Sequence, residues 1–184
     1  MTVVLIIIAI IVVLLIIFAI VTYNGLIGLK NRVDSAWAQI DVQLKRRHDL
    51  IPNLVETVKG YAAHERETLE KVVQARNMAV NAQGPQAQAQ AENVLSGTLK
   101  SLFAVAEQYP DLKANQNFLA LQEELTSTED RIAYSRQFFN DSVQKLNTKI
   151  QTFPAMLFAG IAKATPREYF EADGADRSAP QVQF

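Results

Sequence analysis

Cysteine is absent from this 184-residue chain, which excludes disulfide scaffolds, cysteine nucleophiles and thiolate zinc sites. Histidine occurs only at His48 and His64. Neither has a Glu three residues before it, so the carboxylate–histidine pattern of di-iron bundles is missing. Seven Gly and six Pro are too few for a collagen-like chain. Lys and Arg total 18 against 19 Asp and Glu, and this near-neutral balance gives no nucleic-acid footprint. There is no nucleophile elbow, phosphate loop or dinucleotide fingerprint. Most tellingly, no charged side chain precedes Lys30.

What fills that uncharged stretch is oil. Residues 3–21 are Val, Leu, Ile, Ala or Phe without exception, nineteen in succession. As a helix they reach roughly 28 Å, close to the roughly 30 Å hydrocarbon core of a bilayer. Tyr23 follows as an interfacial anchor. A buried core helix is the soluble alternative, but no other segment is apolar enough to surround it. A cleaved secretory signal is the other; against it stand the missing basic n-region and the lack of a small-x-small cleavage site. Only the α-amine precedes the span, whereas Lys30, Arg32, Lys45, Arg46 and Arg47 follow it. Lys and Arg resist translocation, so the expected orientation is N-terminus outside and the larger domain in the cytoplasm. The remaining composition suits one modest core rather than two enzymatic domains.

The pattern behind the span is helical. Leu26, Val33, Ile40, Arg47, Leu54 and Tyr61 interleave with Lys30, Trp37, Leu44, Ile51 and Val58 on one stripe. Pro52 predicts a kink, or a new helix capped by Asp49. Gly60 lowers propensity without ending the pattern, which resumes at Leu69, Val72, Val73 and Val80. This predicts a rod of more than fifty residues running on from the span, with no flexible linker between them. Gly84 and Pro85 read as a stop and a start. A third helix carries Ala87, Ala91, Val94, Leu95, Leu102, Val105 and Ala106 on its apolar stripe and ends at Tyr109, Pro110 and Asp111. In the fourth, Phe118, Leu125, Ile132, Phe139, Leu146 and Phe153 recur every seven residues, and Pro154 stops it. The helix over 50–80 is its expected antiparallel partner. The fold class is therefore all-α: an N-terminal transmembrane helix continuing into a bundle of long antiparallel helices. The expected divisions are an anchor at 1–23, a bundle at 24–153, a short apolar segment at 154–170 and a disordered tail at 171–184. Residues 155–161 are too short to span; they either cap the bundle end or meet the membrane or another copy.

Chemistry-bearing constellations are weak. His64, Glu65 and Thr68 lack the second histidine of a zinc-protease helix. Glu123, Glu124, Glu129 and Asp130 read as a solvated acidic face rather than an acid–base pair. Lys45, Arg46, Arg47 and His48 form the densest basic cluster. It either touches lipid headgroups or a partner, or pairs internally with Asp41, Asp49 or acids of the fourth helix. Asn53, Asn115, Asn117, Asn140 and Asn147 suit helix ends and inter-helix hydrogen bonds. Composition and pattern alone lead no further than a membrane-anchored helical domain.

The stretches DVQLKRRHDLIPNLVETVKG (41–60), YPDLKANQNFLALQEEL (109–125) and TEDRIAYSR (128–136) closely resemble the LemA family. Asn140, Asn147 and the Phe153, Pro154 helix end match as well, and the resemblance covers roughly residues 3–171. It marks Asp49, Pro52, Asn53, Gly60, Pro110, Asn115, Glu129, Arg136, Asn140, Asn147 and Pro154 as motif positions with structural roles. Where this chain has His48 the family usually has Tyr, which argues against a metal or catalytic role there. The resemblance implies one N-terminal span, long antiparallel helices, an N-out topology, no established enzymatic activity and no cofactor. A magnetosome-associated membrane protein looks like a relative. The reading is an inner-membrane structural or adaptor protein. It would work in the lipid bilayer through protein–protein contacts, as a homo-oligomer or with other membrane-associated proteins, and without nucleic acid or an identified small-molecule substrate. The alternatives are a membrane-remodelling or lipid-contacting module and, far behind, a membrane-bound enzyme.

Overall fold

The apolar run and the first heptad pattern form one helix. In a computed structural model that describes residues 1–171, α1 runs from Thr2 to Lys59 with Pro52 inside it. The expected restart at Asp49 does not occur; the helix passes through both residues. It stops instead at Gly60, where the sequence pattern seemed to continue. The chain turns through residues 60–65 before α2 (Arg66–Asn81) begins. The Gly60 N–H still bonds to the Glu56 carbonyl at 3.3 Å. Glycine's low helix propensity wins there because the apolar stripe has a gap until Leu69.

The next elements are α3 (Pro85–Ala106), α4 (Pro110–Lys113), α5 (Gln116–Gln151) and α6 (Met156–Ala159). Pro85 opens α3 at its first turn, where its missing N–H is no loss. Gly84 precedes it at φ 84°, ψ 161°, a backbone region that is essentially glycine's own. It serves as the entry to α3 rather than as the exit from α2, whose C-cap is Ala82. Asn115 caps α5 by accepting the Phe118 N–H at 3.0 Å. The Phe153–Pro154 peptide is cis. The described residues are thus an all-α bundle with one N-terminal helix long and apolar enough to span a membrane.

The chain divides into two units. The first holds Met1–Ala38 and Phe138–Glu168. Since the start of α1 associates with the end of α5, the two helices run antiparallel in it. Its buried residues include Leu26, Val33 and Ala36 from α1, Phe139, Val143, Leu146 and Ile150 from α5, and Ala155, Ala162 and Ala164 beyond. The Trp37 and Phe139 rings meet at 5.4 Å, and the Arg32 guanidinium lies 5.1 Å over Phe138. Asn147 holds the returning chain by both amide atoms. It donates to the Arg167 carbonyl and accepts the Arg167 N–H, each at 2.9 Å. Every Val, Leu, Ile and Phe side chain of residues 3–21 is exposed.

The second unit comprises, among the described residues, Gln39–Gln137 and residues 169–171. Its core gathers Ile51, Leu54 and Val58 of α1, Leu69, Val72, Ala75 and Ala79 of α2, and Leu95, Leu99, Leu102 and Ala106 of α3. Ala62, Leu112, Phe118 and Leu125 complete it. The stripe expected on α3 is turned in its first half: Leu95, Leu102 and Ala106 are buried as expected, but Val94 is exposed and Gln88, Ala89, Glu92 and Leu99 are buried as well. On α2, Val73 and Val80 likewise face out, while Ala75 and Ala79 face in. The expected tail at 171–184 lies, from residue 172, outside the described residues.

Candidate functional site

The one apolar position in the first heptad series that carries a long cation is Arg47, and this is where the second unit concentrates its polar chemistry. Arg47 and His48 are buried, at 4% and 7% exposure, whereas Lys45 and Arg46 face solvent. Burying a guanidinium requires an anion and hydrogen-bond acceptors around it. Two elements supply them. Glu92 of α3 accepts from Arg47 Nη1 through Oε2 at 3.2 Å. Ser96, one turn on, takes Arg47 Nη2 at 2.7 Å. Glu129 of α5 pairs with Arg47 Nη1 at 2.9 Å. The other Glu92 oxygen, Oε1, lies 2.7 Å from His48 Nε2 and accepts from Gln88 Nε2 at 2.9 Å. Gln88 also donates to the Ala79 carbonyl at 3.0 Å, tying α2 into the network. The turned face of α3 now has its reason: Gln88 and Glu92 face inward because α1 presents a buried cation and an imidazole.

Pro52 shapes the same place through the backbone. A proline lacks the N–H that would bond to the carbonyl four residues earlier, which here is His48. That carbonyl accepts from Arg76 Nε of α2 at 2.7 Å. A side chain from the next helix replaces the missing rung, so Pro52 is accommodated inside α1 and docks α2 at the same time. His48, Arg76 and Gln88 also line a recess of about 340 Å³ together with Asp41, Lys45 and Asp49.

The other sequence-marked residues fall outside this cluster. Arg46 pairs with Glu124. Arg136 is half-buried with its guanidinium 4.9 Å over the Phe170 ring. Burial lowers its pKa from the ordinary value, opposed by Glu129 and Glu92 and reinforced by Arg47. Asn115 Nδ2 reaches the Tyr61 hydroxyl at 2.9 Å. The Asn53 carbonyl accepts from the Thr57 hydroxyl at 2.8 Å, Pro110 opens α4, and Asn140 is half-buried on α5. Asp49, Pro52 and Asn53 are exposed, and Pro154 is half-buried after α5. His64, Asn117, Glu123 and Asp130 face solvent. Of the basic cluster, then, Arg46 and Arg47 both pair with acids of the long last helix. Sequence reasoning missed Gln88, Glu92, Ser96 and Arg76. The signal that pointed to them was the lone Arg47 in an otherwise apolar series, which demands buried acceptors nearby.

Chemically, the network consumes its own valences. Glu92 uses both oxygens on Arg47, His48 and Gln88. No three His, Cys, Asp or Glu converge to hold a metal among the described residues. The arrangement fixes four helices against one another and presents no nucleophile with an activating base.

The LemA family profile matches residues 36–184. Over 134 residues, covering 71% of this chain, the sequence is 31% identical to Protein LemA of Metamycoplasma hominis. It is 24% identical over 175 residues to Magnetosome protein MamQ 2 of Paramagnetospirillum magneticum. It is 26% identical over 174 residues to Magnetosome protein MamQ of Magnetospirillum gryphiswaldense, covering about 80% of this chain in both cases. The chain spans 60% of the first relative's length and 64% of the magnetosome proteins'.

Proposed function

Because the chain belongs to the LemA family, we propose that it is a single-span adaptor of the bacterial inner membrane, acting through protein–protein contacts and self-association. The observation that carries this reading is α1, which continues from the apolar residues 3–21 into the helical core without interruption. A helical connection transmits position from bilayer to domain, which an adaptor uses and a tethered enzyme does not need. The internally satisfied charge network supports the same reading, since it locks helices and offers no reactive atom. The proposed orientation is N-terminus outside and domain in the cytoplasm, following the positive charges after the span. Similarity to proteins named for the magnetosome is in keeping with work in a larger assembly. A lipid-binding role for the cluster at 45–48 has less support, because Arg47 and His48 are turned inward and Arg46 is engaged by Glu124.

Blue-native electrophoresis with chemical crosslinking of the detergent-extracted full chain tests the proposal. The expected result is a discrete species larger than one chain. A strict monomer with no crosslinked product overturns the self-association and adaptor reading.

A further inference from the structure

Beyond the span itself, the first unit carries an apolar surface that water does not explain. Phe153, Met156, Leu157 and Ile161 are exposed at 77%, 52%, 62% and 70%. Met156 and Leu157 belong to α6, and Phe153 and Ile161 lie in the turns on either side of it. Around them, Ala155 and Ala162 are buried, and Phe158 and Ala159 are half-buried. A segment folded against water does the reverse and keeps its large apolar side chains inside. Here four of the five large apolar side chains, all but the half-buried Phe158, are exposed.

Their height along α1 follows from helix geometry. α1 and α5 are antiparallel in this unit, and Trp37 meets Phe139. Eleven residues back along α1 from Trp37 is Leu26; eleven residues on along α5 from Phe139 is Ile150. Both helices rise by about 1.5 Å per residue, so Leu26 and Ile150 lie level. Burial agrees: Leu26 is the first buried residue of α1 and Ile150 the last of α5. α5 ends at Gln151, level with Gly25, so the turn that carries Phe153 and leads into α6 leaves the helix beside the residues that follow the apolar run. Charge points the same way. Between Asp141 and Glu168 there is no acid, but Lys145, Lys149 and Lys163 are present, besides Arg167, which pairs with Asp34 at 3.1 Å. The facing part of α1 carries Lys30 and Arg32, with no acid before Asp34.

We infer that Phe153, Met156, Leu157 and Ile161 form an interfacial foot that inserts into the headgroup–acyl boundary of the leaflet from which the span emerges. Its occupant is anionic phospholipid. Apolar side chains enter the boundary while the surrounding lysines meet the headgroups, the division of labour of interfacial amphipathic segments. The chain would thereby hold the bilayer at two points, one crossing and one lying on the surface. This rests on the reading that residues 3–21 span the membrane.

The absence of native cysteine makes the test direct. Single-cysteine variants Leu157→Cys, Ile161→Cys, Ile11→Cys and Tyr134→Cys of the full chain are labelled with an environment-sensitive fluorophore. They are then reconstituted into phosphatidylcholine–phosphatidylglycerol vesicles with or without spin-labelled lipids. The foot predicts that probes at 157 and 161 are quenched about twofold by shallow spin labels, that the probe at 11 is quenched by deep ones, and that the probe at 134 is not quenched. Quenching at 11 but not at 157 and 161 overturns the foot and leaves the span standing. A blue-shifted but unquenched probe at 157 or 161 also overturns it, because the patch is then covered by another protein copy. No quenching at 11 removes the span and the foot with it.

Discussion

Replacing Glu92 by Leu isolates the physics of the buried network. The substitution keeps volume on α3 and removes the acceptor used by Arg47, His48 and Gln88. Arg47 and Glu92 side chains are only 5% and 4% exposed, so the orphaned guanidinium has little water to turn to. Breaking a buried pair by removing one partner costs about 3–5 kcal/mol. Arg47 keeps Ser96 and Glu129, but the Glu129 side chain is 48% exposed, a screened partner that offsets a modest part of the loss. The expectation is therefore the lower end, about 3 kcal/mol. At about 2–4 °C per kcal/mol for a chain of this size, Tm falls by about 6–12 °C. The assay is thermal unfolding of the full chain in detergent, followed by circular dichroism. The triple variant Arg47→Met, His48→Phe, Glu92→Leu discriminates the cause. If the cost of Glu92→Leu is that of an unpaired buried charge, removing the charge recovers most of the Tm. A loss under about 2 °C in the single variant, or a triple variant as unstable as the single one, refutes the reasoning.

Two further outcomes follow from the same region and its neighbour. Arg76→Met should destabilise the chain by about 1–2 kcal/mol by orphaning the His48 carbonyl, and by clearly less with Pro52→Ala, whose N–H restores the helical rung; equal losses in both backgrounds, read by urea unfolding, contradict the replacement. The Tyr109 hydroxyl donates to Glu65 Oε1 at 3.1 Å, which raises its pKa above the ordinary 10.0, with burial and the Glu65 charge adding to the shift. A raised folded pKa favours the protonated folded state, so this contribution is complete below the unfolded value and is lost as pH rises through the folded one. Absorbance titration should show one tyrosine ionising above the others and vanishing in Tyr109→Phe, and Tm of the parent chain should fall more steeply in alkali than that of Tyr109→Phe.

Much of this architecture could be read from residue patterns, and the failures have physical causes. The apolar run, the Pro85 start of α3 and the seven-residue series of α5 from Phe118 to Leu146 rest on strong local signals: uniform apolarity, a fixed φ and a sustained period; the last member of that series, Phe153, lies beyond the helix end at Gln151 and is exposed. The helix boundary at Gly60 was missed because spacing on either side fits one stripe, and only the absence of apolar residues at 64–68 shows the break. Pro52 misled in the opposite direction, since local rules count the lost rung and cannot see Arg76 arriving from another helix to fill it. On α3 the apolar stripe was misplaced because it was chosen by hydrophobicity, whereas the buried face is set by what Arg47 and His48 require. The basic cluster could be read as residues but not as partners; pairing with the last helix was one of two open readings, and the geometry has Arg46 on Glu124 and Arg47 on Glu129. The apolar segment near 155–161 was legible as apolar, but its inside-out arrangement required coordinates.

The central claim is that one membrane span holds a helical domain on the cytoplasmic side. Gln90 is exposed on α3, and a Gln90→Cys variant of this cysteine-free chain gives a single reactive site. Treating intact cells with a membrane-impermeant maleimide tests the claim most directly. The account predicts that the protein sediments with membranes, stays unlabelled in intact cells and is labelled once the inner membrane is permeabilised. Labelling in intact cells whose outer membrane alone is opened, or recovery of the protein in the soluble fraction, contradicts it.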